Sequence, residues 1–152
     1  MKILVVSDSH KRLEKLMKIY ELERPEIVIS AGDHSRDAEE LSYLYPDSTY
    51  YIVRGNCDIF DRNYENEMVL NLGGSKILLA HGHEYDVKYS YFTIRKEAEK
   101  RGCDIVIFGH THIPYLQKED GVVLFNPGAV CNGEYGILEI IDGELIFSQK
   151  YL

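Results

Sequence analysis

Apolar residues open the chain in short unbroken runs, Ile3-Leu4-Val5-Val6 and then Ile27-Val28-Ile29. A run that is apolar at every position marks a strand covered on both faces. Strands are therefore predicted over Lys2 to Asp8 and Ile27 to Ser30. Between them Leu13, Leu16, Met17, Ile19, Tyr20 and Leu22 fall largely at helical spacing, giving a helix over Lys11 to Glu23 that Pro25 ends. A helix from about Asp37 to Leu44 and a strand from Thr49 to Val53 follow. Strand, helix, strand, helix, strand is the order of parallel strands joined by crossover helices.

The pattern then changes. Glu67 to Leu72 and Lys76 to Ala80 flank Gly73-Gly74 and read as a hairpin. Ser90 to Arg101 reads as a helix with Gly102 as its C-cap, and Asp104 to Phe108 as another buried strand. Two hairpins finish the chain: Tyr115 to Lys118 with Val122 to Phe125, and Gly136 to Ile141 with Glu144 to Ser148. No repeat or linker interrupts residues 1–152, so a single domain of mixed α/β (α+β) class is expected.

Five of these strands end in polar clusters: Ser7-Asp8-Ser9-His10, Gly32-Asp33, Gly55-Asn56-Cys57-Asp58, His81-Gly82-His83 and Gly109-His110-Thr111-His112. Ligands of open α/β sheets sit at the carboxyl ends of strands, so the clusters should converge there. Alternation along an extended chain would put both members of Asp8-x-His10 and of His110-x-His112 on one side. Carboxylate, imidazole and amide donors without a thiolate set suit Mn, Fe, Co, Ni or Zn. Seven donors (Asp8, His10, Asp33, Asn56, His81, His110 and His112) exceed one tetrahedral ion; with one carboxylate shared they make two open sites.

Composition narrows the class. Of 152 residues, 45% are hydrophobic and 28% charged, the balance of a globular domain, and no apolar run approaches a membrane span. The run after Met1-Lys2 is too short for a signal peptide. Cys57, Cys103 and Cys131 form no CxxC pair, which suits a reducing compartment, and a cytoplasmic location is expected. The net charge of -8 disfavours long nucleic acid as a partner. A homodimer is compatible with the sequence.

The ordered set Asp8-x-His10, Gly32-Asp33, Gly55-Asn56, His81 and Gly109-His110-x-His112 resembles the calcineurin-like metallophosphoesterases, and most closely their small lid-free phosphodiesterase branch, the YfcE-like proteins. The resemblance runs from Lys2 to about Gly128. It implies a four-layer α/β/β/α sandwich. It also implies two divalent ions, Mn or Ni first with Zn, Fe or Co as others, one held by Asp8, His10 and His112 and one by Asn56, His81 and His110, with Asp33 bridging. The implied reaction is hydrolysis of a small phosphodiester or nucleotide by a hydroxide that the two ions activate.

Asn56 and His81 are expected to serve catalysis as well as metal binding. His83 either orients phosphate, donates a proton or supports His81, and Asp58 is a further candidate that could instead hydrogen-bond a neighbouring His or the backbone. Many relatives carry His where this chain has Cys57, and often Ser where it has Ala129, so no general acid is assigned. His34, Arg54 and Arg62 could meet substrate or simply be solvated, and Tyr85, Tyr89 and Tyr91 could stack on a base, form an interface or pack. The alternatives are a phosphomonoesterase or nucleotidase, and a non-catalytic protein-binding scaffold of the same fold. A protein phosphatase is disfavoured because His34-Ser35-Arg36-Asp37 follows Asp33 in place of that branch's signature.

Overall fold

In the computed structural model, which describes residues 1–152, the first half folds as its periodicity predicts: β1 (Lys2–Val6), α1 (Leu13–Glu23), β2 (Ile27–Ser30), α2 (Ser35–Leu44) and β3 (Thr49–Ile52). Then come β4 (Glu67–Leu72), β5 (Ser75–Ala80), α3 (Phe92–Lys100), β6 (Ile105–Ile107), β7 (Tyr115–Glu119), β8 (Val122–Asn126), β9 (Glu134–Ile141) and β10 (Glu144–Tyr151). Two short 3-10 turns, His83–Tyr85 and Val130–Asn132, carry too little periodicity to be seen in the sequence.

The strands form two five-stranded sheets, β10-β9-β1-β2-β3 and β4-β5-β6-β8-β7. β1, β2 and β3 run parallel, as do β5, β6 and β8, while β9 and β10 in the first sheet and β4 and β7 in the second pair antiparallel with their neighbours. The unbroken apolar runs are explained by which layer each residue faces. Ile3, Val5, Ile27 and Ile29 meet Ile77, Leu79, Ile105, Ile107 and Phe125 between the sheets. Their neighbours Leu4, Val6 and Val28 pack on Leu16, Ile19 and Leu41 of α1 and α2. On the far side Leu78, Val106 and Leu124 pack on Ile94 and Ala98 of α3. The result is the four-layer α/β/β/α sandwich. No helix is long and apolar enough to cross a membrane.

Element ends differ from the sequence reading where long-range contacts decide them. β1 stops at Val6 rather than Asp8, because Asp8 takes a left-handed backbone with φ 55°. α1 starts at Leu13 rather than Lys11, whose φ is 66°. α2 starts at Ser35 rather than near Asp37, since Asp58 accepts the N–H groups of His34 and Ser35 at 2.9 and 3.1 Å. A cap supplied by a residue so distant in sequence leaves no local signal. β10 continues to Tyr151 because β9 pairs with it as far back as Glu134.

One buried carboxylate ties the first sheet to α1. Glu23, at the end of α1 and 6% exposed, accepts from the Tyr135 hydroxyl at 2.8 Å and Lys150 Nζ at 2.9 Å, and pairs with Lys2 Nζ at 2.6 Å. Burial alone would raise its pKa, but the hydrogen bonds of Lys2, Lys150 and Tyr135 bring it down to about 2. Because the folded value lies below the unfolded one, the stabilisation is complete above the unfolded pKa and fades as pH falls toward the folded one. Glu23→Gln should therefore cost about 2–3 kcal/mol in urea unfolding at pH 7. That gap should shrink to about half by pH 3. A gap that stays constant with pH would show that the ion pairs contribute nothing.

Candidate metal centre

The polar clusters occupy the loops that leave β1, β2, β3, β5 and β6 at their carboxyl ends. The two sheets bring those ends together. Asp8 N–H donates to the Gly32 carbonyl at 2.9 Å, and Gly109 N–H to the His81 carbonyl at 3.0 Å. Glycine is required where the loops touch. A Cβ on Gly109 would lie 1.9 Å from Ser7 Oγ and 2.7 Å from Asp8 Oδ2; one on Gly55 would lie 2.1 Å from Asp33 Oδ1.

Asp8 is wholly buried. Its Oδ2 accepts from Ser7 Oγ at 2.6 Å and from His110 N–H at 3.0 Å. Its Oδ1 is buried with no hydrogen-bond partner. Around that oxygen stand His112 Nε2 at 3.1 Å, His10 Nε2 at 3.5 Å and His81 Nε2 at 3.9 Å. Asp33 Oδ1 accepts from Cys57 N–H at 2.9 Å, leaving Oδ2 to face His81 Nε2 at 3.4 Å and His10 Nε2 at 3.7 Å. His110 Nδ1 is 3.2 Å from His81 Nε2, and His10 Nε2 is 3.2 Å from His112 Nε2. His81 Nδ1 bonds the Ala31 carbonyl at 2.8 Å, an arrangement that fixes the ring and turns Nε2 toward the carboxylates.

Ring nitrogens packed against each other and a carboxylate oxygen without a donor are what a cation-binding site looks like, because a buried unpaired charge costs several kcal/mol unless it is compensated. The donors fit divalent cations: Asp8, His10 and His112 form one cluster, and Asp8, Asp33 and His81 another, each with ligand atoms within 4.8 Å. Strand alternation is not what assembles them, contrary to the expectation. Asp8, His10, Asp33, His110 and His112 all lie beyond the strand ends at positive φ, between 45° and 68°. Asp and His tolerate that region better than most residues, at a cost of the order of 1 kcal/mol each.

Electrostatics follow the crowding. Burial would raise the Asp33 carboxyl, yet His81 and the Cys57 N–H hold it well below the usual carboxylate range. Burial would lower His81, but Asp33 and Asp8 raise it above the ordinary histidine value. His110 is pushed down to about 4 by burial and by His81, and His83 is lowered for the same two reasons. Burial and the Asp33 carboxylate lift the Cys57 thiol to about 11. Opposed shifts within one cleft are typical of a functional site.

The other candidates are distributed around this centre. Asn56 is exposed, its amide against Cys57 Sγ at 3.7 Å, and it bonds neither carboxylate nor histidine. His83 stands with its ring 5.5 Å from that of His81 and 6.1 Å from that of His110, its Nδ1 buried and unpartnered. His34 lies 5.1 Å from the His10 ring, also with Nδ1 unpartnered. Asp58 holds backbone instead: besides His34 and Ser35 it takes the Gly55 N–H at 2.8 Å. Arg54 is occupied by Asn66 and the Asp61 carbonyl. Tyr85 bonds Glu67, Tyr91 packs on Phe108 and Tyr115, and Tyr89 is exposed. Three supporting residues escaped the sequence reading. Ser7 anchors Asp8; Asp37 takes Ser9 Oγ at 2.6 Å and Lys11 N–H at 3.0 Å; Asn126 Nδ2 donates to the Gly109 carbonyl at 3.1 Å. Only the neighbour position of Ser7 and the Asn126-Pro127-Gly128 turn hinted at any of them.

The two mixed sheets with their three helices have the fold of the phosphoesterases. The chain belongs to the calcineurin-like phosphoesterase superfamily, whose domain model matches residues 1–141. Among its relatives is a probable metallophosphoesterase, YsnB of Bacillus subtilis, 35% identical over 86% of this chain and 75% of that one. Phosphodiesterase MJ0936 of Methanocaldococcus jannaschii is 29% identical over 95% of this chain and 94% of its own. A predicted phosphoesterase from Streptococcus pneumoniae superposes with TM-score 0.79 at 26% identity, over 99% of this chain and 88% of that chain. Vps29 of Entamoeba histolytica, solved with Zn²⁺, shares the fold at TM-score 0.76 and 18% identity, over 99% of both chains.

Asp8→Asn tests the centre directly. In chelator the variant should unfold at or above the wild-type temperature, because it relieves a buried carboxylate. Saturating Mn²⁺ at about 100 times its Kd should stabilise the wild type by about 2.7 kcal/mol and the variant hardly at all. Equal stabilisation of both would remove Asp8 from the ligands.

Proposed function

We propose that the protein is a phosphodiesterase acting on small phosphate diesters through two divalent cations, Mn or Ni in the first instance and Zn, Fe or Co as further candidates. Asp8, His10 and His112 would hold one, Asn56, His81 and His110 the other, with Asp33 between them. The observation that carries this reading is the unpartnered Asp8 Oδ1, faced by His112, His10 and His81 nitrogens within 3.9 Å. Such a pair of ions supplies Lewis acidity toward phosphoryl oxygens and eases deprotonation of an attacking water.

The chain's own residues then divide the work. Asp33 reaches toward both halves of the site, since its Oδ2 faces His10 and His81 alike. The exposed Asn56 amide is free to donate to a phosphoryl oxygen as well as to offer its carbonyl. His83, half-buried and with its pKa lowered by burial and by His81, can hydrogen-bond a phosphate oxygen across from His81 and His110. Asp58 is a positioning residue, because it fixes the Gly55 turn that carries Asn56 against the start of α2. Three unpaired cysteines suit a reducing cytoplasm.

The diester preference is supported by the similarity to phosphodiesterase MJ0936 and by the position after Asn56, where Cys57 stands in place of a proton-donating histidine. With no histidine at that position to protonate the departing oxygen, good leaving groups should be favoured. Matched aryl esters test this. Initial rates on diesters should exceed those on monoesters by at least about tenfold, vanish with chelator, and fall steeply as leaving-group pKa rises. Faster monoester hydrolysis would make the protein a phosphomonoesterase, and a flat leaving-group dependence would reveal a proton donor.

A further inference from the structure

Beside the metal centre lies a cavity of about 560 Å³, lined by Ser35, Arg36, Glu39, Cys57, Asp58, Phe60, Asp61, Arg62 and Asn63. Cys57 belongs to both. Its Sγ lies within 4.8 Å of a His10 nitrogen and an Asp33 oxygen, so the cavity and the centre are neighbours that share this one side chain. The volume falls in the range of small-molecule sites.

The walls decide what fits. Three carboxylates face two guanidinium groups, so the cavity does not select for additional negative charge. The carboxylates are also engaged by the chain: Asp58 by three backbone N–H groups, Asp61 by Ser35 Oγ and Asn63 N–H, Glu39 by the Tyr64 hydroxyl. Arg62 has no hydrogen-bond or ion-pair partner, and Arg36 only a 3.6 Å contact with Glu40. Phe60 is 91% exposed, its ring offered to whatever enters. A single exposed aromatic is ordinary on a protein surface. One that lines a polar cavity next to a metal centre, beside the free guanidinium of Arg62 and the loosely paired one of Arg36, is placed as a stacking platform.

We infer that this cavity takes the nucleoside arm of a nucleotide diester, with the base stacked on Phe60 and the polar edges met by Arg36, Arg62 and Asn63. The inference rests on the diester reading of the neighbouring centre but concerns residues that bind no metal. It names the substrate class: a phosphodiester with a nucleoside on the side that is not cleaved, without a further phosphate.

Two measurements test it separately from that reading. First, KM is compared for thymidine 5′-(p-nitrophenyl phosphate) and methyl p-nitrophenyl phosphate, which share a leaving group. The thymidine ester should have a KM about tenfold lower, which is about 1.4 kcal/mol. Phe60→Ala should abolish that advantage with little change in kcat, and Phe60→Tyr should keep it. The exposed ring makes loss of folding in either variant a minor concern. Second, thymidine is titrated into the metal-stripped protein and backbone amide resonances are followed. Shifts should centre on residues 35–36 and 57–63 and disappear in Phe60→Ala. If they appear while no ester is hydrolysed, the diester reading fails and the nucleoside site stands. If both esters are hydrolysed with the same KM, if Phe60→Ala preserves the advantage, or if thymidine shifts no cavity residue, the inference is overturned.

Discussion

Two buried carboxylates that share one small volume set the terms for the whole molecule. Asp8 is fully buried and Asp33 nearly so, at 3% exposure, and both approach the same His81 and His10 nitrogens. Like charges in that position are costly in the absence of cations. The rest of the structure holds them there. Two five-stranded sheets, packed through a continuous aliphatic core, fix the strand ends, and glycines at 55 and 109 allow the loops to touch. Free energy from the core is in effect stored at the edge, as unfavourable backbone and an orphaned oxygen.

That division of labour explains which features can be read from the sequence. The order of elements was legible because Ile3 to Val6, Ile27 to Ile29 and Ile105 to Ile107 are buried on both faces and so apolar throughout. The donor residues were legible because each follows such a run directly. The local shape of the site was not. Asp8 and His110 meet through left-handed turns rather than strand alternation, and α2 begins where Asp58 caps it from across the fold. Both depend on contacts between loops remote in sequence, for which residue types at short spacing carry no information. Glu23 is a similar case: nothing in α1 announces that Lys2, Tyr135 and Lys150 converge on it.

The same geometry separates general from particular chemistry. Imidazoles and carboxylates around Asp8 Oδ1 provide what any phosphate ester would need, and the fold is shared with proteins as different in name as phosphodiesterase MJ0936 and Vps29. Selectivity has to come from the rim, where Cys57 lies between the centre and a polar cavity. In the proposed reading, side chains such as Phe60 and Arg62, which line that cavity, choose the substrate arm.

The proposed function requires these donors to hold a pair of cations. Native mass spectrometry of the full chain, stripped and then equilibrated with Mn²⁺ or Ni²⁺, counts bound ions independently of any substrate. The expected result is a dominant species carrying two divalent ions per chain. A chain that takes up none at saturating metal, or that stops at one, would contradict it.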